Sequence, residues 1–286
     1  MELQEETTII AALSTLTPPQ LSDLTHSILS QSLYHHHRLS SLLSSPSSFS
    51  LTLHLLRSLS LPHKTLLIAK HLLSSLHQLT RHFHPPPLPP HPSATIKHRD
   101  LDAALLLLLL CDVHQYNPEI LKSPRTEWMG ILSKRYSDAM LMQSGIGVHY
   151  GGVVLPFVEM IIRCWRLVAL MGGCGRKEGR EVAAAPSAVV ALPTVEVRRG
   201  GGGECVVCRE EMREGRDVCE LPCEHLFHWM CILPWLKKRN TCPCCRFQLP
   251  SEDALGEIQR LWSVLIKKGG GSLNGERVSA ESRVTR

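Results

Sequence analysis

Cys205-Val206-Val207-Cys208, Cys223-Glu224-His225-Leu226-Phe227-His228-Trp229-Met230-Cys231 and Cys242-Pro243-Cys244-Cys245 dictate how the C-terminal region folds. Fourteen residues separate the first run from the second, and ten separate the second from the third. Together they offer eight potential ligands, namely Cys205, Cys208, Cys223, His225, His228, Cys231, Cys242 and Cys245. Six thiolates and two imidazoles make two closed tetrahedral sites, and soft sulfur with borderline nitrogen selects zinc. A Cys-x2-Cys pair works because its short turn lets two thiolates converge on one ion. Closed four-coordinate sites leave no position for a reactive water, so two structural zinc ions are expected.

Other zinc chemistries fail on spacing. A Cys2His2 finger wants about twelve residues between its pairs and three to five between its histidines. Here the inner gap is sixteen residues and the histidine gap is two. A zinc deaminase needs a Glu two residues after its His ligand and a Pro-Cys-x-x-Cys beyond it, an arrangement this chain lacks. Cys219 and Cys244 lie within the same region, and either is an alternative ligand to a neighbouring Cys. The favoured Cys-x2-Cys register of Cys242 and Cys245 leaves both as small thiols.

Working outward, the whole chain has 286 residues, room for about two folding units. Eight of its eleven cysteines fall between Cys205 and Cys245; Cys111, Cys164 and Cys174 lie elsewhere. An odd count clustered in pairs speaks against a disulfide framework and for a reducing compartment. The acidic opening Met1-Glu2-Leu3-Gln4-Glu5-Glu6 is unlike a signal or import peptide. Ala103 to Cys111 is apolar but far below the ~20 residues that a bilayer needs. Val153 to Met171 has the length but carries Pro156, Glu159, Arg163 and Arg166, so no transmembrane helix is expected. The net charge of +5 is too mild and too scattered to argue for nucleic acid.

Apolar content of 43% with only 5% aromatics favours helices, Leu carrying the load. Residues 1–195 read as a helical region with low-complexity loops. Thr17-Pro18-Pro19-Gln20 fits a capping box, followed by Leu21, Leu24 and Ile28 on one face. Leu66, Ala69, Leu73 and Leu76 recur at helical spacing after Pro62. Asp100 and Asp102 precede the Leu run, as acids should at a helix N-terminus. Ser123-Pro124 opens a helix expected to end near Gly145 and Gly147, and Phe157, Ile161, Trp165 and Val168 make a further stripe stopped by Gly172-Gly173. Ser44 to Ser50 and the Pro/His-rich His82 to Pro92 read as low-complexity loops, and His35-His36-His37 as a polar, partly solvated loop rather than a metal site. Residues 196–204, with Gly200 to Gly203, mark a linker before the zinc module at 205–250.

The order and spacing of the eight ligands, with Leu221-Pro222-Cys223 and Cys242-Pro243-Cys244-Cys245-Arg246, resemble the RING-H2 ubiquitin ligases. The resemblance implies a small cross-braced α+β domain beside a mainly α region. One zinc would take Cys205, Cys208, His228 and Cys231, and the other Cys223, His225, Cys242 and Cys245. It further implies transferase activity without a nucleophile on the ligase itself: the module docks a ubiquitin-charged conjugating enzyme, and a substrate lysine attacks the thioester directly. The docking groove would use Val207, just before the second ligand, Trp235 in the helix after the sixth, and Pro243 after the seventh. Arg246, after the eighth, would bridge conjugating enzyme and ubiquitin. Lys237, Lys238 and Arg239 read as a solvated face. The rival reading is a zinc-stabilised scaffold that binds partners without transferring ubiquitin.

Thr7-Thr8-Ile9-Ile10, the stretch around Leu66 to Leu73, Glu181 to Ala185 and the run from Gly215 to Pro250 also resemble the plant amyloplast-associated RING ligases of shoot gravitropism. That likeness implies ubiquitin transfer on the cytosolic side of the amyloplast, toward an unknown protein substrate. After the zinc module, residues 251–268 are expected to form a helix capped by Ser251, with Leu255, Ile258, Leu261 or Trp262, and Leu265 on one stripe, ended by Gly269. The stripe is expected to meet the RING or the helical region, with a homodimer contact as the sharper alternative. Residues 269–286 read as a disordered tail.

Overall fold

The computed structural model describes residues 2–83, 96–143, 151–171, 182–197, 203–213 and 217–281. Gly145, Gly147, Gly172, Gly173, Cys174, Gly200 to Gly202, most of the Pro/His-rich stretch and residues 282–286 lie outside them. Two compact units emerge, one helical and one built around the cysteine runs.

The helical unit begins with α1 (Glu2–Leu13), α2 (Pro18–Ser44), α3 (Pro46–Ser58) and α4 (Leu61–Thr80). It continues with α5 (His98–Tyr116), α6 (Arg125–Gln143) and α7 (Gly151–Met171). Gln20 reaches back to the Thr17 N–H at 3.0 Å, closing the expected capping interaction at the start of α2. The inner side of α4 buries Ile68, Ala69, Leu72, Leu73, Leu76 and Leu79 against α7 and α5, whereas Leu66 is exposed. Phe157, Ile161 and Val168 of α7 are buried and Trp165 is half-buried. A second cluster joins Phe49 and Leu56 of α3 to Leu106 of α5 and Leu132 of α6. Ion pairs lock neighbouring helices: Arg38 with Asp102, Arg163 with Asp112 at 2.8 Å, and Arg166 with Glu5 at 3.0 Å.

Two loop expectations are corrected here. His35, His36 and His37 lie inside α2, because Leu33 before them and Arg38 and Leu39 after them carry the helix through. Ser44 to Ser50 is a junction between helices, in which the Ser45 side chain caps α3 by accepting from the Ser48 N–H at 3.4 Å. No helix among the described residues is long and apolar enough to cross a membrane.

The second unit holds α8 (Pro186–Val190), the strands β1 (Thr194–Val195), β2 (Val218–Glu220) and β3 (Leu226–His228), and α9 (Trp229–Leu236). The three strands form one antiparallel sheet in the order β1-β2-β3, with Thr194 opposite Cys219 and Cys219 opposite Phe227. Phe227, Val218, Ile232, Leu236 and Leu249 make its core.

The boundary drawn at residue 195 therefore falls elsewhere in the structure: residues 182–197 are part of the zinc-module unit. Ala184 N–H donates to Leu236 O at 2.9 Å, Ala185 N–H to Pro250 O at 2.8 Å, and Asn240 N–H to Val182 O at 2.8 Å. These backbone groups find partners on the module, which an unstructured linker would not supply.

The last helix, α10 (Ala254–Glu281), differs from expectation at both ends. Asp253, not Ser251, caps it, its carboxylate accepting from the Gly256 N–H at 2.9 Å. Gly269 does not end it. A Cβ at Gly269 would press on the Thr8 carbonyl oxygen, so glycine there permits close approach to α1. Of the expected stripe, Ile258, Leu261, Trp262 and Leu265 are buried, while Leu255 is exposed, as is Ile266.

Candidate metal centre

Local chain geometry brings the ligands together in three devices. Residues 205–210 and 242–247 are two copies of one tight turn. In the first, Cys205 N–H donates to Glu210 O at 2.9 Å and Arg209 N–H to Cys205 O at 2.6 Å. In the second, Cys242 N–H donates to Phe247 O at 2.8 Å and Arg246 N–H to Cys242 O at 3.0 Å. Both turns close with a left-handed residue, Arg209 at φ 61° and Arg246 at φ 60°. A side chain in that region costs on the order of 1 kcal/mol, so the surrounding turn must hold it there.

The third device is the β2–β3 hairpin. Its turn carries Cys223 and His225, tightened by Glu224 at φ 65° and by Leu221 N–H donating to His225 O at 3.0 Å. The strand then delivers His228 at its far end and Cys231 one turn into α9. A single hairpin thus feeds one cluster from its tip and the other from its base.

The result is two separate groups, Cys205–Cys208–His228–Cys231 and Cys223–His225–Cys242–Cys245. Within each, the ligand atoms lie within 4.8 Å of one another, and membership follows the interleaved pairing implied by the RING-H2 resemblance. Cys219 and Cys244 belong to neither. Cys219 is a buried thiol pushed up to about 12 by burial and by Glu220. Cys244 is exposed and spends its N–H on the Cys242 Sγ at 3.4 Å.

The donor set fits a soft divalent cation. His225 Nδ1 is buried without a hydrogen-bond partner among the described residues, and His228 Nδ1 faces the Cys208 Sγ at 3.3 Å. Burial, with the facing thiols, pushes Cys223 and Cys231 up to about 12. A divalent cation among clustered thiols stabilises all of them as thiolates, and three thiolates with one imidazole match zinc. The chain holds two zinc ions, and their chemistry is structural: with four protein ligands each, they tie the turns and the hairpin into one fold.

Around the clusters, Trp235 of α9 is half-buried and donates its Nε1–H to Thr241 O at 2.7 Å. That bond fixes the indole beside the second turn, two residues from half-buried Pro243. Val207, on the first turn, is 42% exposed, with Val206 at 59% and Met230 of α9 at 82%, a concentration of exposed apolar side chains on a small module. Arg246 is exposed. Arg239, expected only on a solvated face, stacks its guanidinium over the Trp235 ring at 5.2 Å. Their i, i+4 spacing at the end of α9 was the available signal. Trp229 and Thr194 were missed as well: the Trp229 Nε1–H donates to Thr194 Oγ1 at 3.0 Å, stitching α9 to β1.

Two interleaved Cys/His clusters on a small sheet with one helix define a RING-type zinc module, and the Ring finger domain family model matches residues 203–246. Over 93% of its length the chain is 52% identical to the E3 ubiquitin-protein ligase SGR9, amyloplastic, of Arabidopsis thaliana, covering 98% of that protein. It is 42% identical over 33% of its length to E3 ubiquitin-protein ligase RING1-like of Arabidopsis thaliana, covering 30% of that protein. With E3 ubiquitin-protein ligase RNF181 of Danio rerio it shares 47% identity over 25% of its length and 47% of the relative. The chain is a RING-type E3 ubiquitin-protein ligase, and it belongs to the SGR9 family.

Proposed function

We propose that the module docks a ubiquitin-charged conjugating enzyme on Val207, Trp235 and Pro243, and that Arg246 spans conjugating enzyme and ubiquitin to hold the thioester for direct attack by a substrate lysine. No ubiquitin is carried covalently by the ligase in this scheme. The observation that carries the reading is the tethered Trp235. Its ring is held from one side by Thr241 O and covered by Arg239, so a large apolar surface is presented in one orientation at little entropic cost. Acceleration then comes from positioning, which is worth several kcal/mol when the reacting groups are constrained.

The name of its Arabidopsis relative supports an amyloplast association for this chain, on the cytosolic face where conjugating enzymes and ubiquitin are found. Residues 1–171 would then supply location or substrate choice, and the unit from residue 182 the transfer. The test is Trp235→Ala in the full chain. We expect two zinc ions per chain to remain while affinity for a conjugating enzyme falls at least tenfold; unchanged affinity would sink the docking assignment.

A further inference from the structure

We infer that the helical unit holds a ligand site of its own: a cavity among α2, α4, α5, α6 and α7 that takes a neutral amphiphile, with an apolar body and a hydroxyl head set on His71. The cavity measures about 460 Å³, within the range of small-molecule sites. Leu33, Leu39, Leu105, Leu108, Phe157 and Met160 make its wall largely apolar. Three imidazoles interrupt that wall, His35 and His36 from α2 and His71 from α4.

His71 singles out the polar end. It is 1% exposed, and its Nδ1 is buried with no hydrogen-bond partner among the described residues. The His35 ring lies against it, centroids 5.1 Å apart. Tyr136 and Asp112, also at the wall, are engaged within the protein. Tyr136 donates to His36 O at 3.0 Å and its oxygen meets His36 Nδ1 at 3.1 Å. Asp112 is paired with Arg163 at 2.8 Å and is approached by Arg135 at 3.8 Å.

The head group follows from these partners. Burial, and then the neighbouring imidazole, drive His71 down to about 3 and His35 to about 4, so both rings are neutral at physiological pH. With both rings uncharged, neither a carboxylate nor an ammonium head finds a counter-charge at the His71 nitrogen. A hydroxyl both donates and accepts, and so satisfies a neutral imidazole nitrogen in either tautomer. Leaving that nitrogen unpaired is costly, which gives the site a preference for a hydroxyl over a purely apolar end.

The probe is decan-1-ol, titrated calorimetrically into the full zinc-loaded chain beside decanoate and decyltrimethylammonium. One decan-1-ol should bind per chain, with the two charged analogues at least tenfold weaker. His71→Phe, which keeps a ring and removes the nitrogen, should weaken decan-1-ol about tenfold, and Leu108→Trp, which fills the cavity, should abolish binding. Absence of saturable decan-1-ol binding, undiminished binding in Leu108→Trp, or tighter binding of either charged analogue would each overturn the inference. If His71→Phe fails to fold, as judged by circular dichroism, Leu108→Trp and the head-group series decide it alone.

Discussion

Arg246 combines two properties that one substitution can separate. Its backbone sits at φ 60°, where a side chain is strained, and its exposed guanidinium is assigned the contact between conjugating enzyme and ubiquitin. Arg246→Gly removes the left-handed penalty of about 1 kcal/mol, while the added freedom of the unfolded chain takes back about 0.5–1 kcal/mol. The turn's own bonds, Arg246 N–H to Cys242 O and Cys242 N–H to Phe247 O, are backbone bonds and survive the change. Net stability of the module should therefore stay within about 1 kcal/mol of wild type, with zinc content unchanged. Transfer should nevertheless fall at least tenfold, equivalent to about 1.4 kcal/mol of lost positioning. The assay is single-turnover discharge of a charged conjugating enzyme onto free lysine, run beside denaturant unfolding. Arg209→Gly, at the matching place of the other turn, is the control and should discharge normally. A wild-type discharge rate for Arg246→Gly would refute the guanidinium role. Reduced discharge in both glycine variants would point instead to a general effect on the turns.

Three other outcomes are expected. Cys223→Ser or His228→Ala, or removal of zinc by a strong chelator, should unfold the module, since the metal supplies its folding free energy; protease resistance of residues 205–250 without zinc would contradict this. His71 and His35, held at about 3 and about 4 against an ordinary 6.5, stay neutral when folded and take up protons below 6.5 when unfolded. Stability is thus intact above pH 6.5 and falls as pH drops toward 4, by about 1.4 kcal/mol per pH unit for each imidazole. Hydrogen exchange of the α4 amides at pH 7 and pH 5 should show this, and His71→Phe should reduce the slope. Gly269→Ala should loosen the end of α10 from α1 through its clash with Thr8 O, whereas Gly270→Ala, with open space around it, should gain about 1 kcal/mol of helix stability. Equal exchange protection of α10 in the two variants would count against the close approach.

The division between what the sequence disclosed and what it hid follows the range of the interactions. Zinc ligation is written in short spacings, so Cys205-x2-Cys208 and Cys242-x2-Cys245 were legible at once, and the capping interaction of Thr17 with Gln20 is equally local. The pairing of β1 with β2 joins residues over twenty positions apart through a two-residue strand, too short to leave an alternating pattern. The left-handed Arg209, Glu224 and Arg246 are invisible for a related reason: glycine would have announced those conformations, and none stands there. His35 to His37 misled because histidine is only a moderate helix former, and the helix is sustained by Leu33, Arg38 and Leu39 around them. The His71 site lay deeper still, since its lining comes from five helices.

The central claim, that this chain moves ubiquitin directly from a conjugating enzyme to lysine through a zinc-built module, meets its most direct test in autoubiquitylation by the purified full chain. The reaction contains activating enzyme, a panel of conjugating enzymes and ATP, with Cys223→Ser as control. The account predicts a zinc-dependent ladder, lost in Cys223→Ser, with no reductant-sensitive ubiquitin adduct on the ligase. Silence across the panel from protein carrying two zinc ions, or a thioester on the ligase itself, would contradict it.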